Sequence, residues 1–322
     1  MNRQVYKEVE TMKRINLFYV ALIIALATNS AVWPQAPKAL VASKNVVSTA
    51  PAAVTPRVIL PSPLALPMGK DSLKIAVFGD TGSGKSGQYE VARMMNTYQI
   101  AFPFESVIMV GDNIYGSNKA ADMKAKFEDP YKALEQKGVK FYASLGNHDS
   151  SNERYYELFN MKGEEYYKIE KNGVSFYALN STYMDKRQLD WIASKLAADN
   201  NKWKIAFFHH PPFSSAKFHG SDKKMREALH PLFVKNGVDI VFTGHDHVYE
   251  RIKPQDGIQY FVTGSGGQLR KGDIKKNSPL TAAYFDTDMA FMLVEFVKDQ
   301  MYFQTISRTG QTVDSGVIQR RN

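Results

Sequence analysis

The chain has 322 residues, 44% hydrophobic and 23% charged, which fits one large folded domain or two ordinary ones and excludes a disordered chain. The formal net charge is +9, but the basic residues are scattered, with no run that tracks a nucleic-acid backbone, so no nucleic-acid partner is expected. There is no cysteine, which excludes disulfides, zinc–thiolate sites and thiol nucleophiles; any metal site must use His, Asp, Glu, Asn or Tyr.

In chain order, polar residues 1–11 precede Met12, Lys13 and Arg14, and then INLFYVALIIALA at 15–27. That run is short for a bilayer span and suits the apolar part of a secretory signal, with Ala25-Leu26-Ala27 as a cleavage site and Met12 as an alternative start. Residues 1–27 are expected to be a signal peptide, or an anchor if retained. Export is expected, to a periplasmic or secreted location, with membrane contact only if that segment stays uncleaved. Residues 28–70 are rich in Pro, Ala, Val and Ser and hold no helical or alternating period, which reads as a linker. The catalytic domain is expected over 71–322.

From Asp71 onward, short apolar runs alternate with helical stretches. Strands are predicted at 74–78, 106–110, 140–145, 204–208, 238–243 and 258–263. Helices are predicted at 86–99, 117–137 with an interruption at Pro130, 152–160, 185–199 and 223–235. YYKIEKNGVSFYALN reads as a hairpin turning at Asn172-Gly173. AFMLVEFV, QMYFQTIS and SGVIQ, within 290–320, read as further strands. There is no internal repeat, and the order of elements implies a layered α/β fold.

Five strands stop at a small turn and then present Asp, Asn or His. Gly79-Asp80 follows the first, GDNIYG from Gly111 the second and GNHD from Gly146 the third. HHPPF from His209 and GHDHVYE from Gly244 follow the next two. Ligands of α/β sheets bind at the carboxyl ends of strands, so the five clusters are expected to converge on one edge of the sheet. Singly, each is ordinary: Gly-Asp after a strand is common, and His245-Asp246-His247 could cap a strand. Together they supply the carboxylates of Asp80 and Asp112, the amide oxygen of Asn147, and the imidazoles of His209, His210, His245 and His247. Without sulfur, this set suits Zn, Fe or Mn better than Ca or Mg alone. It suffices for two ions sharing one carboxylate, which at a separation of ~3.5–4 Å can clamp a phosphoryl group.

One motif points elsewhere. FGDTGSGKSG, at 78–87, places four residues between Gly79 and Gly84-Lys85-Ser86, a match to the phosphate-cradling P-loop. SVIMVGD adds an acid-ended strand of Walker B type. This NTPase reading leaves GNHD, HHPPF, FHG and GHDH without roles, whereas the metal reading uses them all. It stays as a remote alternative, with Lys85 and Ser86 otherwise expected to begin the first helix.

In order, Gly79-Asp80-Thr81-Gly82, Gly111-Asp112, Gly146-Asn147-His148-Asp149, His209 and Gly244-His245-Asp246-His247 resemble the signature of the calcineurin-like metallophosphoesterase superfamily. Within it the chain is most similar to the small tartrate-resistant purple acid phosphatases, over about residues 72–270. Gly82 stands where the first motif often has histidine, GDNIY puts Tyr115 three residues after Asp112, and FHG supplies His219. The resemblance implies a four-layer α/β/β/α sandwich with two mixed sheets. It implies two metal ions bridged by Asp112: Fe(III) held by Asp80, Tyr115 and His247, and Fe, Zn or Mn held by Asn147, His209 and His245. His210 would stand behind His209, outside the metal set. His148 and His219 would hold phosphate and help to protonate the leaving alkoxide.

The implied activity is that of an acid phosphatase-like phosphomonoesterase, hydrolysing small phosphate esters through a metal-bound hydroxide. A metal-dependent phosphodiesterase is the close alternative, and a binding protein that keeps the site without catalysis is a third. A monomer is expected. GSGGQLRKGDIKK adds Arg270, Lys271 and Lys275 near a strand end, where they meet either an extended anionic substrate or, more simply, water.

Overall fold

The computed structural model of the protein describes residues 60–321. The expected signal segment and most of the expected linker lie outside the described residues. No helix among the described residues is long and apolar enough to cross a membrane.

Among the described residues thirteen strands follow in chain order: β1 (Leu73–Phe78), β2 (Ser106–Met109), β3 (Lys140–Ala143), β4 (Tyr167–Lys171), β5 (Val174–Ala178), β6 (Trp203–Phe207), β7 (Ile240–Thr243), β8 (Tyr249–Ile252), β9 (Gln259–Thr263), β10 (Thr281–Phe285), β11 (Ala290–Val297), β12 (Gln300–Ser307) and β13 (Thr312–Gln319). They form two mixed sheets, ordered β13-β12-β11-β1-β2-β3 and β10-β8-β9-β7-β6-β5-β4. In the first sheet β1, β2 and β3 run parallel. In the second, β5, β6, β7 and β9 do.

The apolar strands explain the layering. Side chains alternate across a strand, so a run that is apolar throughout must be covered on both faces. In β6, Ile205 and Phe207 join the core between the sheets, while Ala206 joins the cluster under the outer helices. In β7, Ile240 and Phe242 face inward and Val241 outward. Phe261 meets Phe303 across the sheets at 5.2 Å between ring centroids, and Trp203 meets Phe296 at 5.2 Å. The helix Ser86–Ala101 covers the first sheet through Val91, Met95 and Tyr98. Helices Lys186–Ala197 and Lys223–Lys235 cover the second through Ile192, Leu196, Leu229 and Phe233. The result is the expected four-layer sandwich.

Four local expectations change. Residues 60–70 are packed: Leu66 is buried, and Leu60 and Leu64 lie against the core. Gln304 bonds Ala65 N and Pro63 O, and Glu295 accepts the amides of Met68 and Gly69. The helix expected over 117–137 changes character before its proline, with a π turn at Lys124–Glu128. Pro130 has no N–H to give the carbonyl of Lys126, and the Gln88 side chain donates to that oxygen instead, at 2.5 Å. The helix expected over 152–160 is two short 3-10 turns, Ser151–Tyr155 and Glu157–Phe159, separated by an extended Tyr156. Strand β8 was not foreseen, because its Glu250-Arg251 pair hides it. Glu250 is buried and accepts the Ser215 amide at 2.8 Å, while Arg251 pairs with Asp314.

Candidate metal centre

The five strand-end clusters do meet, at the shared edge of the two sheets rather than along the edge of one. The loops after β1, β2 and β3 come from the first sheet, and those after β6 and β7 from the second. The edges are stitched together, with Gly79 N donating to Thr263 O at the end of β9 (2.8 Å) and Gly266 N to Gly79 O (3.0 Å). Asp80, Asp112 and His245 have left-handed backbones, with φ of 55, 50 and 69°. Such angles strain non-glycine residues and turn each chain sharply at its strand end. The neighbouring glycines make room: a Cβ on Gly146 would sit 2.2 Å from Asp112 Oδ1, and one on Gly244 2.4 Å from Asp80 Oδ2.

Two donor groups result. In the first, Tyr115 OH lies 3.2 Å from Asp80 Oδ1 and 3.1 Å from His247 Nε2, and His247 Nε2 lies 3.4 Å from Asp80 Oδ1. In the second, His209 Nε2 lies 3.1 Å from Asn147 Oδ1, 3.1 Å from His245 Nδ1 and 3.3 Å from Asp112 Oδ2. Ligand atoms of Asp80, Asp112 and His247 fall within 4.8 Å of one another, so Asp112 borders both groups. His209 Nδ1 faces the Val110 carbonyl at 3.1 Å. Donation there leaves Nε2 as the inward acceptor when the ring is neutral.

The electrostatics call for cations. Asp80 and Asp112 are buried, and their charged side-chain partners are imidazoles rather than lysines or arginines. Buried carboxylates without a cation are costly, so this donor set fits metal ions. Burial pushes the Asp112 carboxyl up, yet His209, followed by the His148 amide, outweighs it and holds the group well below the usual carboxylate range. Burial lowers His209, but Asp112 and Asp80 together push it up to about 9. Burial, then Asp80 and Asp112, push the Tyr115 phenol well above its ordinary value, so without a cation it stays protonated. Burial, then His209, lower His245 to about 2 and His210 to about 4, which keeps both neutral as acceptors.

All nine residues expected at the site are therefore found together. The His148 ring lies 4.8 Å from the Tyr115 ring and the His219 ring 4.1 Å from the His245 ring, both on the exposed rim. Burial, then the Arg270 charge, lower the His219 pKa. His210 stands closer in than expected. A ring nitrogen lies within 4.8 Å of those of His209 and His245, while Nδ1 faces Ser181 Oγ at 2.9 Å.

Sequence reasoning missed the residues that hold the ligands. Asp149 accepts the amides of Asn113 (2.7 Å), Ile114 (3.0 Å) and Gly146 (2.8 Å) and the Asn113 side chain (2.8 Å), binding the second loop to the third. Burial, then Asp112, push its carboxyl up to about 7. Asp246 accepts Ser214 Oγ (2.5 Å) and Gly220 N (3.3 Å), which places the loop carrying His219. Lys126, from the π turn, donates to the Tyr115 carbonyl at 2.6 Å. The signals for Asp149 and Asp246 were the last letter of GNHD and the third of GHDH; Lys126 had none.

The P-loop alternative fails on its amides. Asp80 N and Thr81 N donate to Gly111 O and Asp112 O, Ser83 N to Thr81 O, Gly84 N to Gln88 Oε1 and Lys85 N to Ser83 Oγ. A phosphate cradle needs such amides free. Lys85 instead precedes the first turn of the helix, exposed.

Residues 73–249, more than half of the chain, match the calcineurin-like phosphoesterase family, and the chain belongs to it. It is 26% identical over 265 residues to purple acid phosphatase 17 of Arabidopsis thaliana, covering 70% of this chain and 78% of that one. It is 24% identical over 299 residues to tartrate-resistant acid phosphatase type 5 of Mus musculus, covering 78% and 91%. Its fold resembles that of a purple acid phosphatase from yellow lupin seeds, with a TM-score of 0.67, 19% identity and coverage of 77% and 54%. It resembles equally GAP50, the anchor in the inner membrane complex of Plasmodium, with a TM-score of 0.67, 18% identity and coverage of 78% and 90%. The protein is thus a metal-dependent phosphoesterase of the metallophosphoesterase fold.

Proposed function

We propose that the chain is an exported dinuclear phosphomonoesterase of purple acid phosphatase type. The observation that carries this reading is the position of Asp112, a buried carboxylate between two donor groups, with the Tyr115 phenol in the first. Asp80, Tyr115 and His247 would hold Fe(III), Asn147, His209 and His245 would hold Fe, Zn or Mn, and Asp112 would bridge. Two cations there supply Lewis-acid charge to the phosphate and lower the pKa of water.

The chain's own residues do the rest. Asp80 and Asp112 balance the cationic charge. His148 and His219, exposed on the rim, bind phosphate oxygens and deliver a proton to the leaving alkoxide. His210, held by Ser181, flanks His209 and His245 and fixes the wall beside them.

The test is hydrolysis of p-nitrophenyl phosphate by the metal-loaded full chain across pH, with the visible spectrum taken on the same sample. Turnover with a broad visible band that Tyr115→Phe abolishes is expected. Turnover without the band would remove the iron–phenolate assignment. Metal bound with turnover only on diesters would move the reading to a phosphodiesterase.

A further inference from the structure

Arg270 is a basic residue at the site edge to which the functional reading gives no task. Its amide donates to the His247 carbonyl at 2.9 Å, so it is fixed to the chain beside the centre. Its guanidinium carbon lies 3.6 Å from the centroid of the Phe218 ring. That ring is 4.5 Å from the ring of His219, which in turn is 4.1 Å from the ring of His245. Arginine, phenylalanine and histidine are thus in successive contact, the last of them against the candidate ligand His245.

These contacts are built into the fold. Phe218 N donates to Asp273 Oδ1 (3.1 Å) and Lys217 N to Asp273 O (2.8 Å), and Ala216 bridges to Ile274. Gly220 N is held by Asp246. Phe218 is 65% exposed, so the stack does not fill a core. Arg154, Arg187, Arg251, Arg308 and Arg320 pair with carboxylates, whereas Arg270, like Arg93, Arg226 and Arg321, has no such pair among the described residues. Its Nη1 is buried and has no hydrogen-bond partner among the described residues.

A guanidinium nitrogen withdrawn from water without an acceptor is unfavourable, and its planar fork suits phosphate oxygens. We propose that Arg270, held against Phe218, donates to a non-bridging oxygen of the substrate phosphate on the His219 side of the centre. The inference rests on the phosphoesterase reading for its kinetic arm only, and its binding arm stands apart from catalysis. A dianionic monoester or free phosphate gains more from the guanidinium than a monoanionic diester does.

The probe is inorganic phosphate, titrated by calorimetry into the metal-loaded full chain, with metal content and thermal melting measured on the same samples. Arg270→Gln is expected to weaken phosphate binding about 10- to 100-fold, the range for a lost hydrogen bond to a charged group. Arg270→Lys should restore part of it, with metal content and melting unchanged. Phe218→Ala, which frees the guanidinium without removing it, should give an intermediate loss and serves if the first variant fails to fold. In turnover, KM for p-nitrophenyl phosphate should rise by a similar factor, with kcat changing less. Phosphate affinity unchanged in Arg270→Gln overturns the proposal, whether or not melting falls, because a loop clamp would move only the melting. Wild-type chain that binds phosphate without turnover would sink the functional reading and leave this one standing.

Discussion

The two ends of the sandwich differ in how they treat charge. At the end opposite the site, an open depression of about 640 Å³ is lined by Lys70, Lys74, Glu105, Glu170 and Lys171. Its charges are mixed and mostly at the surface, and Lys74 already bonds Gly69 O and Ser72 Oγ and pairs with Glu295 at 3.6 Å. At the site, Asp80 and Asp112 are withdrawn from water, and their hydrogen-bond and ion-pair partners among the described residues are imidazoles, a phenol and backbone amides. The depression sets lysines and carboxylates side by side near the surface, whereas the site buries two carboxylates with His209 as the imidazole raised toward its charged form. Function is marked here by an unbalanced buried charge and not by the volume of a cavity.

The buried charge of the site depends most on Asp112. Asp112→Asn removes one carboxylate from between the two donor groups and should abolish detectable turnover and cut bound metal; retained activity would place the bridge elsewhere. Next, His148→Ala leaves the proposed ligands intact and should lower kcat by about 10²-fold or more while metal content holds, as for loss of a general acid. Asp149→Asn sets an amide N–H against the donors of Asn113 and Gly146. Metal affinity, read by competition with a chelator, should fall about 10- to 100-fold, as for other groups that orient ligands.

A fourth expectation concerns pH. In the metal-free chain His209 is raised from its ordinary 6.5 to about 9 by Asp112 and Asp80, against burial. Its contact with Asp112 therefore stabilises that form fully below about 6.5 and is lost as pH rises through about 9. A metal ion must displace this proton, so apparent metal affinity should rise with pH toward 9. Calorimetry in buffers of different ionisation enthalpy should detect proton release at neutral pH; no release would contradict the assignment. The smallest effects belong to Lys85→Ala, at the P-loop match, and Lys171→Ala, in the opposite depression. Each should keep most activity, with stability within about 0.5 kcal/mol of wild type. Near-total loss in the first would revive the phosphate-loop reading.

The site was legible because its donors are chemical specialists placed directly after strands. A strand that ends in Gly-Asp or Gly-His-Asp-His leaves little else for those side chains to do together. The division into two sheets was not legible from the strands themselves, since Ile205, Ala206 and Phe207 are apolar on both faces and carry no sign of which layer each will meet. It came from the family resemblance. β8 was hidden because a buried Glu250 reads as solvated until Ser215 and Thr281 are seen to satisfy it. Lys126 was beyond reach, as its place depends on a carbonyl that Pro130 leaves free.

The most direct test of the central claim is metal content per chain, by elemental analysis of the full-length protein after chelator removal and reloading, set beside Asp112→Asn. Two ions are expected in the wild type and a clear deficit in the variant. One ion at saturation in the wild type, or two retained in Asp112→Asn, would contradict a centre built around that shared carboxylate.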